Sequence, residues 1–155
     1  MKAIEIETFG NPAEVVKAVD VPDVGAPAAG EVVIALEASP INQYDLLMIA
    51  GGYGYRPRLP AIMGTEGVGC VVAVGAGVTH LREGDRTLVP FLHPAWAERI
   101  KTDAPWLRPL PPGDVNQFAM MGAASHGRAP GQLHFQEADD TWLLASPLVS
   151  VGQAG

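Results

Sequence analysis

The sequence predicts a mainly β fold with short helices (α+β): a compact, partly open β-barrel up to about residue 112, then a change of character. Three observations predict it. Short runs of alternating or β-branched apolar residues recur at close spacing. The 18 glycines and 14 prolines are spread between those runs as turn punctuation, not gathered into a low-complexity tract. Only two segments carry a helical start signal, a capping residue ahead of bunched apolar positions.

The elements follow in order. Lys2–Glu7 alternates apolar and charged residues and reads as a strand. Phe9-Gly10-Asn11-Pro12 is a turn, and Val15–Val21 is a second strand closed by Pro22. Gly25–Gly30 is a loop before EVVIALEA, Glu31–Ala38, a strong strand. NQYDLLMI, Asn42–Ile49, is a short helix with Asn42 as N-cap and Gly51-Gly52 as its stop. Gly67–Val74 has a buried, β-branched character. Gly84-Asp85 opens the strand Arg86–Val89, and Ala95–Lys101 is a further strand. Asp114 caps a helix to Ala124. Ser125–Asp140 is polar and irregular, and Thr141–Ala145 (TWLLA) reads as a buried strand. Two units are therefore expected, 1–124 and 125–155. The second resembles the start of a nucleotide-binding βαβ unit, a buried strand followed by a turn of small residues. A buried strand without its sheet partners leaves a homodimer as one way to cover it.

Composition narrows the function classes. With 17 acidic against 10 basic residues and a net charge of −7, the chain lacks the clustered cations of a nucleic-acid surface. Cys70 is the only cysteine, which rules out an internal disulfide and a four-cysteine zinc site. MKAIEIE carries no long apolar run, so neither a signal peptide nor a membrane helix is legible, and a cytoplasmic protein with no membrane partner is expected.

Most candidate chemistry has a plainer explanation. GVGCVVAVG lacks the third glycine of a phosphate-cradling loop and leads into a strand instead of a helix, so Gly67 and Gly69 are read as room for close packing. The four histidines show no metal-ligand spacing and read as surface groups. Cys70 reads as a small core residue. Met48, Met63, Met120, Met121, Trp96, Trp106 and Trp142 read as core fillers. Arg56-Pro57-Arg58 is a solvated loop or, beside Tyr53 and Tyr55, an anion contact.

The stretch from Ser39 to Gly75, SPINQYDLLMIAGGYGYRPRLPAIMGTEGVGCVVAVG, carries ordered motifs: P-I-N-x-x-D-L, G-x-Y-G, L-P-A, G-x-E-G and V-V-A-V-G, continued by Gly84-Asp85-Arg86. It resembles the medium-chain dehydrogenase/reductase superfamily, and in particular the zinc-free branch of quinone oxidoreductases and 2-enoyl thioester reductases. The resemblance implies a GroES-like catalytic domain followed by a Rossmann domain. Zinc-dependent relatives carry a cysteine ahead of the helix Asp, and this chain has Tyr44 before Asp45. They carry His before the Glu, and this chain has Thr65 before Glu66. No bound metal is therefore expected, and another group must serve the substrate. The resemblance points to Tyr53 of G-x-Y-G as that donor, since a phenol stays protonated at neutral pH and Gly52 and Gly54 let the loop approach a ligand. Asn42, Tyr55 and Arg56 are the candidate substrate contacts, Glu66 a supporting carboxylate, and Thr65 a bland occupant of the vacated position.

The resemblance also implies NADPH as cofactor and an enoyl thioester or quinone as small-molecule substrate. It thins after Met121-Gly122, where the family's N-P-x-T motif is missing. In Val149-Ser150-Val151-Gly152, Ser150 stands in place of the first glycine of the cofactor turn, so Ser150 and Gly152 are the only cofactor contacts expected. With the sequence ending in that turn, little NADPH-dependent activity is expected of it alone. The other reading is a non-catalytic GroES-like fragment or binding module.

Overall fold

The computed structural model describes residues 1–121 and, as backbone strands, Phe135–Ala138 and Thr141–Leu144. Within 1–121 the chain forms β1 (Lys2–Ile6), α1 (Pro12–Val15), β2 (Val16–Asp20), β3 (Glu31–Ala38), α2 (Gln43–Ile49), β4 (Ala61–Ile62), β5 (Val68–Val74), β6 (Arg86–Leu88), β7 (Arg99–Asp103) and α3 (Val115–Ala119). Two antiparallel sheets result, ordered β2-β1-β4 and β6-β5-β3-β7.

The central pair β3–β5 brings the strongest apolar runs together. Val32, Ile34, Val68 and Val71 are fully buried there. The register breaks after Val33 and again after Leu36, so the strands bend as a barrel wall must. Gly69 makes the pairing possible: a Cβ there would lie 2.3 Å from the Ala35 carbonyl oxygen. The packing role read for Gly67 and Gly69 thus holds.

Several boundaries differ from the expectation. Asn11-Pro12 does not end as a turn but opens α1, with the Asn11 side chain accepting from the Ala13 amide at 3.2 Å. An Asn N-cap with Pro in the first turn is a helix-start signal, and β2 accordingly begins at Val16. β7 starts at Arg99, because Ala95–Ala97 closes the barrel seam instead: Ile4 donates to the Trp96 carbonyl at 2.8 Å and Trp96 to that of Met63 at 2.9 Å. Asp114 caps α3 as expected, accepting from Asn116 and Gln117 amides. Met48 and Met63 are core residues, but Trp106 is 66% and Met120 59% exposed. Cys70 is half-buried and unpaired.

Part of the segment expected to be irregular is regular. Phe135–Ala138 is a strand (β8) and pairs antiparallel with Thr141–Leu144 (β9), from Phe135↔Leu144 to Ala138↔Thr141. Only two residues separate them, a hairpin length. The strand at 141–145, expected to lack sheet partners of its own, thus pairs with a neighbour within the chain. Ser150 and Gly152, the expected cofactor contacts, lie outside the described residues, as do His126 and His134.

Candidate functional site

The site is built by α2, the turn Gly64–Glu66 and the glycine–tyrosine loop between α2 and β4. Helix α2 starts at Asn42 because Asp45, three residues on, folds back and accepts from the Asn42 amide at 2.8 Å. The other Asp45 oxygen accepts from the Thr65 hydroxyl at 2.7 Å. Asp45 and Thr65 are both buried, so this pair rivets the helix to the turn. Burial raises the Asp45 pKa above its ordinary value, and its hydrogen bonds to Asn42 and Thr65 only partly offset that.

With the helix start held by Asp45, the Asn42 side chain turns to the site. Its amide donates to the Tyr44 hydroxyl at 2.7 Å and to a Glu66 carboxylate oxygen at 3.2 Å. Glu66 is 2% exposed, and its carbonyl accepts from Ser39 Oγ at 2.6 Å. The Tyr44 pKa is raised, first by burial and then by its hydrogen bond with Glu66. The phenol therefore holds its proton across the neutral range. Asn42, Tyr44, Asp45, Thr65 and Glu66 form one hydrogen-bonded network.

Tyr53 reaches this network from the loop. Gly51, at φ +76°, reverses the chain after α2, and Gly51 and Gly52 amides cap the helix end on the Met48 and Leu47 carbonyls. The Tyr53 ring then lies 6.2 Å from that of Tyr44, tilted by 35°, over the buried cluster of Ile6, Met48 and Ile49. Phe91 meets the Tyr44 ring edge-on at 6.4 Å. The Tyr53 hydroxyl makes no hydrogen bond among the described residues. A cleft of about 410 Å³ lies alongside, lined by Tyr55, Arg58, Met63 and Thr65 among others; Tyr53 is not part of its lining.

Asn42 and Tyr53 are thus brought to one place, and Tyr55 to the adjoining cleft. Arg56 is directed elsewhere: its guanidinium donates to the Gly51 carbonyl and stacks 5.7 Å over the Phe9 ring, bracing the loop. Sequence reasoning missed Tyr44 and Asp45 as site members. The Asn42-x-x-Asp45 spacing is a capping signature that could have found Asp45. Among the described residues no three His, Cys, Asp or Glu side chains converge as a metal site.

A barrel of two antiparallel sheets, with a capped helix and a turn placing polar groups at one end, defines the class. The sequence pattern of the alcohol dehydrogenase GroES-like domain matches residues 28–131, and the chain belongs to that family. Its solved structural neighbours include the Escherichia coli quinone oxidoreductase complexed with NADPH, with TM-score 0.68 and 32% identity over 77% of this chain and 36% of that one. The JamJ enoyl reductase superposes with TM-score 0.70 and 25% identity over 81% of this chain and 41% of that one. Among curated relatives, the mitochondrial enoyl-[acyl-carrier-protein] reductase of Bos taurus is 44% identical over 85 residues, 55% of this chain and 22% of its own length. The alcohol dehydrogenase of Moraxella sp. (strain TAE123) is 42% identical over 95 residues, 61% of this chain and 27% of its own length. The chain is thus related to oxidoreductases of the medium-chain dehydrogenase/reductase superfamily and spans about a quarter of the length of these curated relatives. No helix among the described residues is long and apolar enough to cross a membrane.

Proposed function

We propose that residues 1–124 act as the substrate-side domain of a zinc-independent, NADPH-dependent, cytoplasmic reductase of activated C=C bonds, with 125–155 as the beginning of its cofactor domain. An enoyl thioester is the favoured substrate class, with a quinone second. The observation that carries this reading is the contrast between two neighbouring phenols. The Tyr44 hydroxyl is engaged by Asn42 and Glu66, whereas that of Tyr53, one ring away, has no partner among the described residues. An uncommitted phenol is available to a ligand.

NADPH, when bound, supplies the hydride to the β-carbon of the substrate. This chain's part is the proton and the positioning: Tyr53 donates from its hydroxyl to the α-carbon, and the network behind it fixes the ring by contact with Tyr44. General acid catalysis of this kind contributes about 10²–10⁴-fold. Zinc-independence is supported by the residues at the turn, where Thr65 bonds Asp45 and Asn42 bonds Glu66 in place of a ligand set.

The test is a chimera in which this chain replaces the matching domain of the NADPH-bound quinone oxidoreductase. NADPH oxidation should appear with crotonyl thioesters and persist in the presence of a zinc chelator. Turnover that collapses on chelation would sink the zinc-independent reading. Turnover with simple alcohols and oxidised cofactor, but not with enoyl thioesters or quinones, would assign the domain to the alcohol dehydrogenases instead.

A further inference from the structure

A second cleft, of about 270 Å³, lies along β7 and shares only Ile62 and Pro94 with the lining of the first. It is small beside most ligand pockets, which run from about 300 Å³ upward. Its charge is unusual for this chain. The sequence carries 17 acidic against 10 basic residues, yet the lining holds Arg99, Lys101 and His93 and no carboxylate. The rest of the wall is apolar, chiefly Val24, Ile62, Ala97 and Ile100.

Three donors come together there from two segments. β7 alternates, with Arg99 and Lys101 exposed on one side and Ile100 and Thr102 buried on the other. Lys101 has no hydrogen bond or ion pair among the described residues. Arg99 is held by Asp23 at 2.7 Å, an exposed pair that a ligand can compete for. The Thr102 hydroxyl meets His93 Nε2 at 2.9 Å, which leaves Nδ1 as the ring nitrogen open to a ligand. The backbone adds to this. β7 is the outer strand of its sheet. The Glu98 carbonyl accepts from Leu36, and the Ala104 amide donates to Gly30. Residues 98, 100, 102 and 104 therefore face β3, and by alternation the Lys101 amide lies on the free edge. A lysine on an edge strand also discourages pairing with another chain. That role explains neither the recess nor the histidine fixed by a buried hydroxyl.

We propose that this cleft is a binding site for a small organic carboxylate, its apolar body against Ile62, Ala97 and Ile100 and its anionic end among Lys101, Arg99 and His93. The apolar floor favours such a ligand over a bare inorganic anion, and the cationic rim favours it over a neutral one. The site stands apart from the reductase reading, since it uses no residue of the Asn42–Glu66 network.

The experiment is a chemical-shift titration of the ¹⁵N-labelled 155-residue chain with benzoate, its neutral isostere benzamide, and inorganic phosphate. Benzoate should give saturable shifts that include His93, Ala97 and Lys101, and should bind about fivefold more tightly than benzamide, a margin expected of exposed charge contacts. Phosphate should bind more weakly than benzoate. Lys101→Gln should weaken benzoate about threefold and leave benzamide unchanged. Asp23→Asn should tighten benzoate about twofold, because it frees Arg99 from its competitor. Lys101 and Asp23 are exposed, and the spectra of the variants report directly that the fold is retained. Absence of saturable benzoate shifts, equal affinity for benzoate and benzamide, or shifts centred on Thr65 in place of His93 would overturn the site. Lys101→Gln without effect on benzoate would overturn it as well. Phosphate binding as tightly as benzoate would overturn the organic carboxylate as its ligand.

Discussion

The α2 start with its facing turn and the glycine–tyrosine loop touch through two rings 6.2 Å apart, and they are opposite in chemistry. In the first region the polar side chains are closed on one another: Asp45 with Thr65, Asn42 with Tyr44 and Glu66. In the second, the groups suited to a ligand are open, with Tyr53 uncommitted, Tyr55 46% exposed and Arg58 at the cleft. The difference teaches a division of labour. A buried polar network whose members bond one another makes a stiff support. Reactive and recognition groups must stay unsatisfied until a ligand arrives, which is tolerable only where water reaches them. The loop meets that condition and the network does not.

The comparison breaks most readily at Asp45. Asp45→Ala removes both acceptors and leaves the Thr65 hydroxyl and the Asn42 amide without theirs in a buried place. A loss of about 3 kcal/mol is expected, the sum of two unsatisfied donors at about 1–3 kcal/mol each. Urea unfolding checks it, and a loss under about 1 kcal/mol would mean the network is not a support. Tyr44→Phe comes next, at about 1 kcal/mol, because it strips one partner from Asn42 and one from Glu66 while keeping the ring. Tyr53→Phe should change stability by less than about 0.5 kcal/mol, since no hydrogen bond is lost. A larger loss would show that the Tyr53 hydroxyl is engaged after all.

The smallest expected effect sharpens the contrast through pH. A carboxyl whose pKa is raised by folding binds its proton more tightly in the folded state. Asp45 therefore weakens the fold as pH climbs from the ordinary Asp range, about 4, through its folded value, and the cost is complete above that. Asp45→Asn removes this contribution. The stability of the variant relative to the unaltered chain should therefore rise with pH across that window and level off above it. A flat difference across the window would mean that Asp45 is not the group titrating.

Much of the barrel was legible because strand patterning is local. EVVIALEA and GVGCVVAV announce their pairing, and the close approach at Gly69 follows from its missing side chain. The two-residue strand β4 was not legible, since Ala61-Ile62 becomes a strand only by meeting Glu5 and Ile6. The site was half legible. Tyr53 and Asn42 stand in motifs, but the contact of Tyr44 with Glu66 spans 22 positions (66 − 44) and depends on how α2 is set against the turn. Nor does sequence distinguish Arg56 from Arg58. Which of them braces the loop is decided by the position of Phe9, delivered by a distant turn. Trp106 read as core because tryptophan usually is, yet it lies outside the apolar clusters and stays exposed.

The most direct test of the account compares the two phenols in the chimera that carries a full cofactor domain. Turnover with crotonyl thioester and the affinity for NADPH are measured for Tyr53→Phe and Tyr44→Phe side by side. The open phenol should matter to chemistry and the closed one to stability. Tyr53→Phe is expected to lower turnover about 100-fold, within the range for a lost general acid, with NADPH affinity unchanged. Tyr44→Phe is expected to keep turnover within about fivefold while it destabilises the fold. Equal turnover in Tyr53→Phe and the unaltered chimera, or a 100-fold loss in Tyr44→Phe alone, would contradict the assignment of the proton to Tyr53.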